Sequence, residues 1–162
     1  MKATKPIKRN PILIEFSRDH HFGLLLVWKI RQGFKNNIGP ERLSSYLLFY
    51  FDNDLMRHFS EEEKLLFAKL DEHADLRKQA ESDHALIYQL VEQIKQDNTN
   101  TELIKQFADK LEEHIRFEER ELFNYIQVCL SENELTDIAR QFSKQDHDVD
   151  STWHDDFWIV KK

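Results

Sequence analysis

A ten-residue string, His-x-x-x-Glu-Glu-basic-x-Leu-Phe, occurs twice in the chain, first beginning at His58 and again at His114. On an α-helix, residues four apart differ by only about 40° around the axis and by about 6 Å along it. Each string therefore places one imidazole and one carboxylate on the same helix face, pairing His58 with Glu62 and His114 with Glu118. We expect each pair to be able to chelate a metal ion.

The composition indicates a single all-helical domain. The chain has 162 residues, of which 40% are hydrophobic and only three are Gly and three are Pro. This balance is typical of helical globular proteins, and the length suffices to bury one core. We expect one domain, 1–162, with a helical bundle over about 12–130 and a C-terminal helix and tail over 131–162.

Charge, apolar runs and cysteine usage narrow the class of protein further. The net charge of -7 argues against sequence-independent binding to nucleic acid, which needs a basic face. The longest apolar stretch, residues 22–28, is too short to span a bilayer, and no secretory signal pattern is recognisable, so we expect a cytoplasmic protein. The single cysteine, Cys129, excludes an intrachain disulfide and is predicted to be a buried apolar residue.

Apolar spacing and helix breakers predict four long helices and a shorter fifth. The predicted ranges are about 17–34, 41 to a weak break near Asp71, from that break to 96, and 101–130, with a short helix after Ser131. The inner stripe of the fourth helix is predicted to continue past Glu118 to Tyr125 and Cys129. Because the connections are short, we expect antiparallel neighbours and hence an up-down-up-down four-helix bundle.

Two further histidines fall at the same depth of such a bundle as the repeated strings. His20 and His58 flank the first predicted turn, His58 and His84 the second, and His84 and His114 the third, each pair at similar distances from its turn. Four imidazoles and two carboxylates would be costly to bury without a cation. We therefore predict a metal site whose ligands are His20, His58, Glu62, His84, His114 and Glu118.

The other carboxylates of the two strings are interpreted differently. Glu63 and Glu119, five residues after each histidine, lie about 140° away around the helix. We predict that they and Glu61 are solvated, with Lys64 and Arg120 as surface partners of small energetic value.

Several nearby residues leave alternatives open. His21 could replace His20, because both lie near the start of the first helix. Asp54, one turn before His58, either bonds a ligand imidazole or has an exposed capping role. His73 is expected near a helix end, well away from the site.

The acidic, aromatic tail has two possible interpretations. One is a second metal site, and the other, which we favour, is a helix that packs its aromatic side chains over the bundle. The residues concerned are Asp146, His147, Asp148, Trp153, His154 and Asp155.

The segment Arg18-Asp19-His20-His21, the two repeated strings and the lone His84 resemble the hemerythrin-like, or HHE cation-binding, domains over roughly residues 20–125. The resemblance implies a four-helix bundle with two iron ions bridged by Glu62 and Glu118. It implies terminal ligation by His20, His58, His84 and His114. The ligand set is similar to that of the bacterial iron-sulfur-cluster repair proteins of this family. Oxygen-carrying members use an additional histidine one turn from the third-helix ligand, where this chain has Ala80 and Tyr88.

The ligand count predicts an open site. Two roughly six-coordinate irons would retain about four positions for water, an oxo or hydroxo bridge, or a diatomic ligand. Imidazole and carboxylate ligands suit iron or manganese, and zinc is a possible substitute. We expect a di-iron protein that binds oxygen, nitric oxide or peroxide, or handles iron itself, for sensing or storage rather than an enzyme with a dedicated substrate. The alternatives are a di-iron oxidase, peroxidase or iron-sulfur-cluster repair activity, and a helical interaction module with a structural or vacant metal site.

Overall fold

The computed structural model describes residues 8–142 and 152–159, and all regular secondary structure in these residues is helical, as predicted. Two of the helices are uninterrupted long helices, α1 (Pro11–Lys35) and α3 (Asp75–Gln96). Helix α2 consists of the consecutive segments Pro40–Tyr50, Phe51–Leu55, Met56–Glu61, Glu62–Leu66 and Phe67–Lys69. Helix α4 consists of Thr101–Phe117, Glu118–Leu122 and Phe123–Cys129, and the short α5 is Glu132–Gln141. Within the described ranges, every helix is too short or too polar to cross a bilayer.

Capping residues fix where the helices begin. Helix α1 starts earlier than predicted, because the Asn10 side chain accepts a hydrogen bond of 3.0 Å from the Ile12 N–H and Pro11 occupies the first helical position. Helix α5 starts at the predicted place, where Ser131 and Glu134 form a reciprocal capping box. The turns between the long helices cover residues 36–39, 70–74 and 97–100.

Helices α2 and α4 each contain a π-helical turn that begins at the first glutamate of the repeated string. The Glu62 carbonyl accepts a hydrogen bond from the Phe67 N–H, and the Glu118 carbonyl accepts one from the Phe123 N–H. Each bond spans five residues, so one extra residue is accommodated in the turn. The string that carries the histidine and glutamate therefore also encodes a local change of helix geometry.

The extra residue shifts which side chains face the core after the site. Past Glu118, the buried positions of α4 include Ile126, and Leu130 is buried just after the helix, whereas Cys129 is exposed. The predicted burial of Cys129 is wrong, because the prediction assumed an unbroken period of 3.6 residues through the π-helical turn.

The buried apolar residues form two clusters with a layer of polar side chains between them. Helix α1 packs against α2 and α4, and α3 packs against the same two helices. On α1, Phe16 belongs to one cluster and Leu26 to the other, with His20 between them in sequence. On α3, Ala80 and Ile87 flank His84 in the same way. The polar layer thus lies across the middle of the helices, with apolar packing on both sides.

The tail residues 152–159 pack their aromatic side chains on α1 and α2. The Trp153 ring centroid lies 4.9 Å from that of Phe49, and the Trp158 centroid lies 5.0 Å from that of Tyr46. Phe157 is buried among the same side chains. The predicted packing of aromatic residues over the helices is confirmed, but residues 153–159 are irregular and do not form a helix.

Polar contacts also hold the tail. The Arg42 guanidinium donates to Asp155 at 2.8 Å, and the Lys29 ammonium lies 4.0 Å from the centre of the Trp158 ring. His154 is exposed. The other residues considered for a second metal site, Asp146, His147 and Asp148, lie outside the described residues.

Gly33 lies where α1 meets α2 and the tail. A Cβ atom at this position would lie 2.2 Å from Leu43 Cδ2 and 3.0 Å from Phe157 Cε2. We expect Gly33→Ala to lower the free energy of unfolding by about 1–3 kcal/mol through overpacking, as measured by urea denaturation. Gly39→Ser is the control, because a Cβ there meets nothing within 4 Å and Ser is a good N-cap. An unchanged free energy of unfolding in Gly33→Ala would contradict this account of the packing.

Candidate metal centre

Four imidazoles and two carboxylates, drawn from all four long helices, meet in the polar layer. Each of the six residues is at most 3% exposed. They are His20 of α1, His58 and Glu62 of α2, His84 of α3, and His114 and Glu118 of α4. The structure therefore brings together every residue predicted for the site, and their role as metal ligands stays a prediction.

The potential ligand atoms form two groups, within each of which they lie no more than 4.8 Å apart. One group contains Glu62, His84, His114 and Glu118, and the other contains His20, His58 and Glu62. Glu62 is common to both groups, and a Glu118 oxygen lies 3.3 Å from His20 Nε2. Two carboxylates thus lie between two pairs of imidazoles.

The imidazoles all present their Nε2 atoms to these carboxylates or to each other. His58 Nε2 lies 3.1 Å from a Glu62 oxygen, and His114 Nε2 contacts a Glu118 oxygen. His84 Nε2 lies 3.4 Å from Glu62 and 3.1 Å from His114 Nε2. Unprotonated Nε2 atoms in this arrangement would all direct their lone pairs into one small volume.

Six buried atoms of the site make no hydrogen bond, although their distances to oppositely charged groups are short. They are His20 Nε2, His58 Nε2 and both carboxylate oxygens of Glu62 and of Glu118. Buried polar atoms without partners are costly and uncommon in folded proteins. Imidazole nitrogens together with carboxylate oxygens are ligands for iron, manganese and zinc. The residues present therefore fit a site for two cations.

The opposite ring nitrogen of two of these histidines is bonded to glutamates that the sequence interpretation placed in solvent. His20 Nδ1 donates to Glu119 at 2.7 Å, and His84 Nδ1 donates to Glu63 at 2.9 Å. Glu63 is exposed as predicted, whereas Glu119 is only partly exposed, and the prediction missed the hydrogen bond that each one accepts. Each side chain reaches a neighbouring helix, whose imidazole has a second nitrogen to satisfy.

Two aspartates in the same role were missed by the sequence interpretation. His58 Nδ1 donates to Asp19 at 2.9 Å, and His114 Nδ1 donates to Asp83 at 2.9 Å. The available signal was a second repeat, because Asp19 directly precedes His20 and Asp83 directly precedes His84.

The structure also shows where the residues left open near the site lie. His20 is buried in the site, whereas its neighbour His21 is exposed. Asp54 is buried and accepts a hydrogen bond of 3.1 Å from Arg57, so it has no exposed capping role. His73 lies exposed in the turn before α3.

Neither of the two positions compared with the additional histidine of oxygen carriers supplies a nitrogen ligand. Ala80 is fully buried in one apolar cluster. The Tyr88 ring packs edge-on against Phe51 and Phe59, with centroids 5.5 Å and 6.0 Å apart. The nitrogen ligands available therefore remain the four imidazoles.

Without a cation, the imidazoles carry the charge that balances the two carboxylates. Burial opposes protonation of His58, but the charge of Glu62 and the hydrogen bond to Asp19 outweigh it and raise the pKa of His58 to about 9. Burial is likewise outweighed at His84, where Glu118, Glu62 and Glu63 raise the pKa to about 11. Burial also opposes ionisation of Glu118, but His114 holds its pKa well below the usual value. A metal cation bound here would therefore compete with protons for the same imidazoles.

These pKa shifts predict how the stability of the metal-free protein depends on pH. The pKa of His58 is about 9 when folded and 6.5 as a free side chain, so its contribution is complete below about pH 6.5 and is lost as the pH rises through about 9. The pKa values of Glu62 and Glu118 are lowered, so their contribution is present above about pH 4.5 and is lost as the pH falls. We expect the free energy of unfolding of metal-free protein, measured with urea, to be highest between about pH 5 and 6.5 and to fall towards pH 10. A free energy of unfolding that stays constant from pH 6.5 to 10 would contradict this balance of charge.

Comparison with known proteins agrees with the composition of the site. The family model described as Hemerythrin HHE cation binding domain matches residues 16–126, a range that contains all six converging residues. Searches of curated proteins and of solved structures gave no significant match.

Proposed function

The chain belongs to the hemerythrin HHE cation-binding family, and on that premise we propose that it holds two iron ions and binds a small diatomic molecule or peroxide for sensing, storage or iron handling. The observation that carries the proposal is the set of buried, unbonded ligand atoms. Both oxygens of Glu62 and of Glu118 lie between two pairs of imidazoles and make no hydrogen bond of good geometry. A pair of cations would satisfy these atoms.

Each residue has a defined role in this proposal. His84 and His114 would hold one cation and His20 and His58 the other, with Glu62 and Glu118 lying between the two pairs of imidazoles. When bound, a pair of iron ions supplies redox-active Lewis-acid centres with vacant coordination positions that a diatomic molecule can occupy. The protein supplies the fixed imidazole orientations and a surrounding that excludes water.

The walls of the site favour a small ligand. Phe59 stacks on the His84 ring with centroids 4.1 Å apart, and Phe123 stacks on the His20 ring with centroids 5.1 Å apart. Apolar packing continues on both sides of the polar layer. A molecule that loses little hydration on entry, such as oxygen or nitric oxide, suits these surroundings better than an organic anion. A cleft beside the tail, lined by Arg42, contains none of the six site residues.

We also propose that the four long helices form an up-down-up-down bundle. Consecutive helices are joined by short turns, which favours antiparallel neighbours. The first helix packs against the fourth as well as the second, as closure of a four-helix arrangement requires. The cytoplasm is the proposed location, because a single cysteine excludes an intrachain disulfide and fits a reducing compartment.

Metal content tests the proposed site directly. We expect two irons per chain, with iron-dependent absorption bands, in protein expressed with iron and purified without chelator. The double variant His58→Ala, Glu118→Ala is expected to lose both the iron and the bands, because it removes one terminal and one shared ligand.

The matched control replaces one exposed histidine and one exposed glutamate, His21→Ala with Glu121→Ala, and is expected to retain two irons. Circular dichroism of all three proteins establishes that the helices are intact. Less than one iron per chain in the wild type, unchanged in the ligand variant, would refute the dinuclear site.

Titration with a diatomic ligand tests the proposed activity. Reduced, iron-loaded protein under anaerobic conditions is expected to change its spectrum on addition of oxygen or nitric oxide, with saturation at about one ligand per site. Continued consumption of oxygen or peroxide after saturation would instead indicate an oxidase or peroxidase. No spectral change with either ligand would contradict the proposed binding of diatomic molecules.

A further inference from the structure

We propose that Asp19, Glu63, Asp83 and Glu119 form a carboxylate ring that positions the four ligand imidazoles in two independent pairs, one pair for each cation. The inference rests on the proposed dinuclear site and deepens it, because it assigns positioning residues that lie outside the ligand set. These four residues do not touch the space between the imidazoles. They act through the Nδ1 atoms on the opposite side of each ring.

The carboxylate ring is closed around the bundle, since each long helix supplies one carboxylate to the next. Asp19 of α1 accepts from His58 of α2 at 2.9 Å, and Glu63 of α2 accepts from His84 of α3 at 2.9 Å. Asp83 of α3 accepts from His114 of α4 at 2.9 Å. Glu119 of α4 accepts from His20 of α1 at 2.7 Å, which completes the circuit.

The arrangement is repeated along the sequence. Asp-His supplies residues 19–20 and 83–84 and Glu-Glu supplies residues 62–63 and 118–119, although the same dipeptides also occur at 146–147, 61–62 and 112–113. In the four pairs at the site, one neighbour faces the interior of the site and the other reaches the adjacent helix. The first two long helices and the last two therefore use the same pattern.

An ionised carboxylate can only accept a hydrogen bond, so it fixes the proton of a neutral imidazole on Nδ1. Nε2 is then left with its lone pair directed into the site, as a metal ligand requires. An amide of the same shape removes this constraint, because its N–H group can donate to Nδ1 and shift the proton to Nε2. The chemical requirement is thus for a carboxylate and not merely for a polar side chain of similar size.

Cations on the outer side keep three members of the carboxylate ring ionised and in place. Arg57 lies 3.7 Å from Asp19, Lys110 lies 2.8 Å from Asp83, and Arg9 pairs with Glu119. Asp19 and Asp83 are almost fully buried, with side chains 4% and 3% exposed. A buried carboxylate needs such compensation, which distinguishes these contacts from ordinary surface ion pairs.

Glu63 differs from the other three members. Its side chain is 43% exposed, and no lysine or arginine within residues 8–142 and 152–159 pairs with it. A substitution there leaves apolar packing untouched, so Glu63 gives the cleanest single test of positioning.

The four carboxylates divide into two pairs in the same way as the imidazoles that they bind. Asp19 and Glu119 hold the two imidazoles of one ligand group, and Glu63 and Asp83 hold the two imidazoles of the other. Loss of one carboxylate pair should therefore empty one cation position and spare the other.

The experiment compares two double variants, Asp19→Asn with Glu119→Gln and Glu63→Gln with Asp83→Asn. The control is Asp52→Asn with Glu121→Gln, which makes the same change of charge at two exposed positions. Zinc content per chain and 15N NMR of the zinc-loaded, diamagnetic proteins are measured. The NMR spectrum detects the Nδ1–H protons of ligand histidines. A general loss of stability would not remove the signals of one imidazole pair while sparing those of the other.

We expect two zinc ions and four Nδ1–H signals in the wild type and the control. Each double variant is expected to retain one zinc ion and the two Nδ1–H signals of the untouched imidazole pair. The single variant Glu63→Gln is expected to bind the second zinc ion about 10–100-fold more weakly, as measured by competition with a chromophoric chelator.

The outcomes separate this inference from the proposed function. A wild type that does not bind two metal ions would refute the dinuclear site itself. A normal wild type whose double variants retain two zinc ions and four signals would overturn the positioning role alone. Loss of both zinc ions from folded double variants would overturn the division into independent pairs. If a double variant fails to fold, the single variant Glu63→Gln decides, and an unchanged zinc affinity in it overturns the inference.

Discussion

The burial of two carboxylates at the centre of an apolar core is the constraint on which the rest of the structure depends. Glu62 and Glu118 have no exposed surface, and both lie between clusters of apolar side chains. An uncompensated buried charge costs about 3–5 kcal/mol, which is a large part of the stability of a domain this size. Groups that can carry positive charge must therefore lie beside these two carboxylates. Each of the four long helices supplies one imidazole there.

Charge alternates outward from that centre. The two glutamates are surrounded by imidazoles, the imidazoles by the carboxylate ring, and three members of that ring by Arg9, Arg57 and Lys110. The charge of each layer is compensated by the opposite charge of the next layer outward. The outermost cations lie near the surface, where water screens their charge. The imidazoles are the adjustable layer, because they can hold either a proton or a metal cation in front of the same carboxylates. Metal binding at these side chains would consequently be coupled to folding.

Helical periodicity predicted five of the six converging residues, because the two repeated strings fix a face and the distances to the turns fix a level. It left His20 and His21 as alternatives, and only the family resemblance favoured His20. The same reasoning failed where the local geometry leaves the α-helix. Cys129 is exposed because the π-helical turn that begins at Glu118 changes the phase of α4, and no periodic pattern reveals such a turn in advance. The hydrogen bonds of Glu63 and Glu119 were missed for another reason, since the atom that each one binds belongs to a different helix. Contacts between helices depend on packing that a single helix pattern does not contain.

The position of the tryptophans determines what intrinsic fluorescence reports in this protein. Of three tryptophans, Trp153 and Trp158 belong to the tail, and the third, Trp28, is 49% exposed on α1. The ammonium group of Lys29 lies against the Trp158 ring, so undocking of the tail alone would alter the emission. Tryptophan fluorescence therefore reports whether residues 152–159 are packed on the helices, whereas circular dichroism reports the helix content. Non-coincident unfolding curves from the two probes would therefore mark separate release of the tail and not a partly folded metal site.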